Sequence, residues 1–506
     1  MPAASIHSGS SDTASAVKNA FTLGLSLILT WSVALLVRLY LPRHLGPELF
    51  GTFTFADGFA ATFIILVDLG IDIYIRKEIP VRPEHASDFF GGLAAVRGIL
   101  MLALLGVMVI FLELTGRPRA VQILVLVFGA AHFMTSLNAS FAALLHSVGT
   151  VDGLAIMNVA SKLLWGAGIV LAITTNLGLP ALAGAFLLSE MARGIALIVL
   201  TRKHIHLRFT WNVPAMKAVI LASLPYYLNA VALVIHGKLD VSMLSLLISD
   251  VETGWYGSAA NFTALALLLA PLIGWVLLPL LSKASSRSEE EFFTLVRRSL
   301  FGIVMLATPI SLFMSLGADV WIGVLFGDAF APAVPALRIL APMFVVTYVA
   351  MIMSTCLIML ERPWTMTAIS AGSALVLPAL NLLIIPRAGR WLGPGGAGTG
   401  AAIALMLCEI GVAVALAVAV GRRAFKPFNF ITLAKVVGAC LAVVGLDVAL
   451  RPLGPVRIAA GVVVYAGLLV GLRVVRVEHV RQLLKLLRER RGDAKAAAPP
   501  SPASGR

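Results

Sequence analysis

Cysteine is nearly absent. Cys356, Cys408 and Cys440 are the only three in 506 residues, and all lie in apolar runs without CxxC spacing. That leaves neither a disulfide framework nor a zinc site to organise a fold, so the three read as small packing residues. Charge is also scarce, at 13% of residues, against roughly 25% in soluble domains. No Walker sequence occurs, and Gly91-Gly92 and Gly393-Pro394-Gly395-Gly396 follow no strand. They read as turns or helix contacts rather than phosphate cradles, and ATP hydrolysis is not expected. Metal-ligand spacing is missing around His132 and His236, which read as packing residues. The N-terminus has no basic segment and short apolar core before a small-residue cleavage site, so the first apolar run is expected to be a retained helix.

What the chain has in abundance is apolar sequence: 59% of residues, with a mean hydropathy of +0.96. A helix crossing the ~30 Å hydrocarbon core needs about 20 apolar residues, and runs of that length predict about fourteen spans. Six fall between Val17 and Leu200, six between Ala218 and Val420, and two more over Phe430 to Leu450 and Val456 to Leu472. The expected divisions are an unstructured N-terminus (1–16), an N-lobe (17–200), a linker (201–217), a C-lobe (218–420), an extra helix pair (421–475) and a tail (476–506).

Lys plus Arg number 39 against 25 Asp plus Glu. The excess follows the tendency of cytoplasmic loops to retain basic residues; no nucleic-acid motif accompanies it. Arg76, Lys77 and Arg82; Arg202, Lys203 and Arg208; Lys283, Arg287, Arg297 and Arg298; and Arg422, Arg423 and Lys426 fall on one side. Both termini are therefore expected in the cytoplasm. On the opposite side the longest loop, near Asp319 to Asp328, is too short to present the catalytic surface of a polymerase, ligase or glycosyltransferase, so no enzyme and no cofactor are expected. In the tail, Val480, Leu483, Leu484 and Leu487 among Arg481, Lys485 and Arg488 predict a helix on the anionic membrane face. From Ala494 the composition predicts disorder.

The two halves echo one another. Gly51, Phe53 and Ala56 match Gly254, Tyr256 and Ala259, and Asp88-Phe89-Phe90 matches Glu291-Phe292-Phe293, all offset by 203 residues, with Glu48 and Glu252 one position off. Ser189-Glu190 with Ala196-Leu197 matches Cys408-Glu409 with Ala415-Leu416 at an offset of 219. Halves with an even number of helices start on the same side, so the repeats are expected to be parallel, with a cavity between them.

The segments LPRHLGPELFGTFTFADGF and VDLGIDIYIRKEI in the first half, then LPYYLNAVALVIHGKLDVSMLSLL, ETGWYGSAANF and VLFGDAFAPAVPALRILAP, carry a resemblance in their order and spacing. The chain resembles the bacterial lipid-linked polysaccharide (O-antigen type) flippases of the multidrug/oligosaccharidyl-lipid/polysaccharide exporter superfamily, over nearly its whole length to about Val420. The resemblance implies an all-α polytopic membrane protein with two six-helix lobes in a V. It implies alternating access that moves an undecaprenyl-diphosphate-linked oligosaccharide across the inner membrane, with polysaccharide polymerase and chain-length machinery as expected partners. A multidrug or cation antiporter of the same superfamily is the competing expectation, and a membrane-embedded polymerase or ligase a weaker one. The helix pair after Val420 extends the twelve-helix core.

Ionisable side chains at membrane depth face a cavity or a partner. A diphosphate cargo calls for cations that replace its hydration, which makes Arg97, Lys162 and Lys238 the expected phosphate contacts and Arg38 a contact nearer the periplasmic end, with Arg338 at similar depth. Arg97 also reads as a structural anchor. Glu190 and Arg193, three apart on one helix, are expected to neutralise each other. Glu409, the counterpart of Glu190, lacks that arginine; it, Asp57 and Asp240 are the expected coupling-ion residues. Asp68 and Asp72 are expected to pair with Arg76 and Lys77.

Overall fold

The computed structural model describes residues 9–72, 92–147, 151–205, 211–270, 277–425 and 430–474, the isolated positions 75, 79 and 87, and most side chains from residue 30 onward. The loop residues Arg76, Lys77, Arg82, Arg208 and Lys426, the Asp88-Phe89-Phe90 echo, Gly91 and the tail from Arg476 lie outside the described residues. Regular structure among the described residues is helical throughout.

α1 (Gly9–Asp68) bends at Gly46, whose φ of 73° lies in the left-handed region. Glycine adopts that conformation without a Cβ clash, and Pro47 then opens the second limb. The first limb starts at Gly9 rather than at Val17, because Ser10 to Thr13 are helix-start types and the alanines after them are good helix formers. α2 (Gly92–Leu114), α3 (Arg119–Ser147), α4 (Val151–Thr174) and α5 (Leu179–His204) complete the N-lobe. The C-lobe contains α6 (Val213–Leu247), α7 (Asp250–Thr263), α8 (Leu278–Arg287), α9 (Glu289–Leu316), the short α10 (Ala318–Phe326), α11 (Val334–Met359), α12 (Pro363–Leu392) and α13 (Gly396–Val420). The span expected as one helix from Trp255 to Leu281 is instead α7, a 3-10 stretch over Ala264–Leu269, and α8. Pro279 lies in the first turn of α8, where its missing amide is tolerated.

Ten helical stretches among the described residues, with α1 counted once, are long and apolar enough to cross a membrane by length and composition. Their large apolar side chains are exposed in quantity, as Ile99, Leu102 and Leu114 of α2 illustrate. In a soluble protein that would be a liability; here lipid is the solvent, and helices associate through close packing of small residues. In α13 the run Gly396 to Ala402 is wholly buried. Glu252 of α7 reaches this Gly-rich turn: its carboxylate accepts the amides of Gly395, at 2.7 Å, and Gly398, at 3.0 Å. The glycines thus receive a carboxylate from the chain itself.

The lobes join where the second limb of α1 crosses α7. A Cβ on Gly51 would lie 1.6 Å from the Asp250 carbonyl oxygen, and one on Gly254 would lie 1.9 Å from that of Pro47. One turn on, Gly257 lies against Thr54, so positions equivalent in the two repeats face each other. Arg117 of the N-lobe seals this end, donating to Asp250 at 3.0 Å and to the Ser245 hydroxyl at 2.7 Å. At the far end of the second limb, the Tyr227 hydroxyl of α6 donates to the Leu66 carbonyl at 3.0 Å.

The last pair, α14 (Phe430–Ala449) and α15 (Val456–Gly471), docks on α9. The Tyr465 ring meets Phe313 edge-on at 6.1 Å, and Arg457 donates to Asp319 of α10 at 2.6 Å and lies 3.0 Å from Asp447. Burial works to raise the Asp319 carboxyl, but the bonded Arg457 guanidinium outweighs it and holds the group below its ordinary value.

Two expectations follow. Gly51→Ala and Gly254→Ala each force α1 and α7 apart and lower the melting temperature of the purified protein; overpacking costs roughly 1–3 kcal/mol, and a clash with backbone belongs at the upper end. Gly98→Ala, with no atom within 4 Å of the new methyl, leaves it unchanged or raised. For the terminal pair, a depressed carboxylate contributes stability that is complete above its unfolded value of about 3.9 and is lost as the pH falls through the folded value. A double-mutant cycle of Asp319→Asn and Arg457→Gln therefore shows favourable coupling at neutral pH that shrinks below about pH 4.

Candidate functional site

Phe50, Thr54 and Asp57 recur at helical spacing along the second limb of α1 and share one of its faces. They line a cavity of about 350 Å³ with Arg38 of the first limb, Phe128 and His132 of α3, Lys162 and Trp165 of α4, Phe186 of α5, and Lys238 and Asn261 from the C-lobe. The cavity thus draws on both lobes.

Its charges are arranged in two groups. Lys238 donates to Asp57 Oδ2 at 2.8 Å, and His132 Nε2 lies 2.9 Å from Oδ1, so an ion pair bridges the lobes. On the N-lobe side, Glu190 is 1% exposed and carries two cations: Lys162 Nζ at 3.6 Å and Arg193 Nη1 at 3.3 Å. The Asn138 amide donates to Glu190 at 3.0 Å, and Arg193 donates to Asn158 at 2.8 Å. The Lys162 ammonium also stands 5.4 and 5.6 Å over the Trp165 and Phe186 rings, within cation–π range. Arg38 has no hydrogen bond or ion pair among the described residues. Four cations against two carboxylates leave the site with two net positive charges.

Of the four residues expected to meet cargo, Arg38, Lys162 and Lys238 come together here. Arg97 does not join them. It is 3% exposed beneath α3, donating to the Val67 carbonyl at 3.1 Å, to Ser140 at 3.0 Å, to Asp68 at 3.4 Å and to Ser136. All of these bonds are to the N-lobe, the position of an anchor, and Arg97 does not line the cavity where the phosphate contacts were expected. Asp68 correspondingly pairs with Arg97; its expected partners Arg76 and Lys77 are outside the described residues. Arg338 lies 3.9 Å from Asp319, away from the cavity.

Among the coupling-ion residues, Asp57 lies in the cavity with both oxygens engaged. Asp240 is buried outside it, accepting the Tyr256 hydroxyl and the Val241 amide at 2.7 Å. Glu409 lies in a second cavity with His236. The Glu190–Arg193 pair stands as expected, enlarged by Lys162. His132 and His236, read from sequence as packing residues, each face a carboxylate. A buried acid lacking a local cation was the signal that a partner had to come from another helix.

The two arginines separate by experiment. Arg97→Met strands Asp68 and costs about 3–5 kcal/mol of stability, seen as a lower melting temperature. Arg38→Met, which breaks no bond among the described residues, stays within about 0.5 kcal/mol.

A family model described as "Polysaccharide biosynthesis protein" matches residues 16–285. Among solved structures, the chain is similar to one described as "Lipid II flippase MurJ, inward closed conformation", with a TM-score of 0.66 at 15% identity over 89% of this chain and 98% of that one. It is also similar to an inward-facing multidrug resistance MATE family transporter of the MOP superfamily, with a TM-score of 0.60 at 16% identity over 79% of this chain and 99% of that one. At such identities the likeness is one of fold. No curated protein matches the chain.

Proposed function

This chain belongs to the polysaccharide biosynthesis protein family, and we propose that it is a flippase carrying an undecaprenyl-diphosphate-linked oligosaccharide across the bacterial inner membrane by alternating access. The observation that carries the reading is the charge of the cavity between the lobes. A diphosphate diester bears two negative charges, and the site holds two uncompensated positive ones, with Arg38 unpartnered among the described residues and Lys162 and Lys238 able to exchange one oxyanion for another. Arg supplies a planar fork and Lys a point charge to phosphoryl oxygens. The aromatic walls provide apolar surface beside them, as an amphipathic cargo needs. A fold shared with a lipid II flippase supports the reading.

Cationic drugs would meet the same net positive charge and be repelled, which argues against the antiporter reading. The cargo's onward route through a polymerase and chain-length proteins belongs to the same proposal, as does the cytoplasmic placement of both termini.

Reconstituted in liposomes, the protein is expected to move a short-chain polyprenyl-diphosphate oligosaccharide from one leaflet to the other. A hydrogen bond to a charged group contributes about 1.5–3 kcal/mol, so Arg38→Ala, Lys162→Ala and Lys238→Ala each lower transport at subsaturating cargo about tenfold or more. Gradient-driven efflux of a cationic dye without any lipid translocation would replace this reading with the antiporter.

A further inference from the structure

Glu190 and Glu409 occupy matching places in the two repeats, yet their surroundings differ in kind. Glu190 is neutralised by two cationic side chains, Lys162 and Arg193. The residue three after Glu409 is Val412 where its counterpart has Arg193. The basic side chain that faces Glu409 is His236 of α6, with Nε2 3.0 Å from Oε1. That nitrogen is buried and not aligned for a hydrogen bond, so the contact is one of charge rather than of a seated proton.

The two lie on a C-lobe cavity of about 340 Å³, whose wall carries the hydroxyls of Thr347, Ser354, Thr355, Ser370 and Ser373. Of the other titratable groups nearby, the Cys408 thiol also lies against His236, and the charged ones are engaged elsewhere. The Cys408 thiol of α13 points to the Ser373 carbonyl at 3.7 Å. Asp240, one turn along α6, accepts from Tyr256 and Val241, and Lys238 is held by Asp57. α11 and α12 line the cavity with hydroxyl, methionine and alanine side chains, and residue 270 contributes an alanine.

We propose that the His236–Glu409 pair is a proton-binding site of the C-lobe, separate from the cargo cavity, which links the protein's conformational cycle to pH. With the proton on the imidazole the pair is neutral overall, as the Glu190 cluster is balanced by its cations. Without it Glu409 is a bare carboxylate in an apolar lobe, an unfavourable state unless water enters the cavity. Histidine is the side chain whose charge changes within the physiological range, and the hydroxyl wall offers a polar path to the pair. Loss of the proton therefore favours a hydrated, open C-lobe, and its binding favours the closed one.

The test uses the purified full-length protein, with His236→Lys supplying a permanent cation and the double variant His236→Gln/Glu409→Gln supplying a neutral, hydrogen-bonding pair. The wild type is expected to melt at progressively lower temperature as the pH rises from about 6 to 9, and both variants to lose that slope. In liposomes, transport with a pH gradient divided by transport without one is expected to depart from unity in the wild type and to return to it in both variants. A slope and a ratio unchanged in whichever variants fold would overturn the proposal. Only the transport ratio rests on the flippase reading. A wild type that flips no cargo sinks that reading alone, whereas a melting profile flat with pH sinks the proton site alone.

Discussion

A carboxylate taken away from water must be answered by a fixed positive charge or by donors, because its desolvation otherwise outweighs everything packing can return. That requirement organises the interior of this protein. Asp57 is answered by Lys238 and His132, Glu190 by Lys162 and Arg193, Asp68 by Arg97, and Glu252 by two backbone amides of the Gly-rich turn. Each pairing ties two or more helices together, and helices whose apolar faces find lipid as hospitable as one another have few other reasons to choose a partner. Position in the bundle is thus set by polar contacts, while small residues set how closely the chosen partners approach.

The second limb of α1 and α7 show that division of labour. Gly51 and Gly254 admit a backbone approach that no side chain permits, and the Arg117–Asp250 contact holds the crossing at the end where the chain turns. The residues in contact are related by the internal repeat, so the interface is close to self-complementary. At this crossing, matching positions of the two sequence repeats, Gly51 with Gly254 and Thr54 with Gly257, meet much as equivalent residues do across a two-fold axis. Departures from that symmetry then carry the chemical difference between the lobes: a lysine and an arginine around Glu190 and a histidine beside Glu409.

Hydropathy found the helical, membrane-spanning character, and ten candidate spans stand among the described residues. The turn at Gly46 was legible, whereas the 3-10 stretch between α7 and α8 was missed because an apolar run does not show where a helix changes pitch. The Glu190–Arg193 pair was legible because both residues sit on one helix within a turn. Asp57 and its partners were not, since His132 lies 75 residues away and Lys238 181. Nor could sequence separate Arg38 from Arg97. Both are arginines in apolar helices, and a helix that is apolar all round has no polar face to show which way a lone charge points. Only packing decides that, and it turned one into the cavity and the other beneath α3. The start of α1 at Gly9 was missed for a different reason: a Ser/Ala-rich stretch fits a helix start as well as an unstructured terminus.

Pairing the cavity's lysines with carboxylates also bears on how tightly any anion is held. A bare ammonium in a low-dielectric cavity would bind a phosphoryl group strongly and release it slowly, and passage through a site requires binding weak enough to leave. A Lys238 that turned from Asp57 to an incoming oxyanion would exchange one ion pair for another, so the net gain would be the difference between two large and similar quantities. The same exchange loosens a bond between the lobes, because Asp57 belongs to one and Lys238 to the other. On the flippase reading proposed above, binding at this point and release of the contact between the lobes would be a single electrostatic event, whereas the bonds of Arg97 lie wholly within the N-lobe.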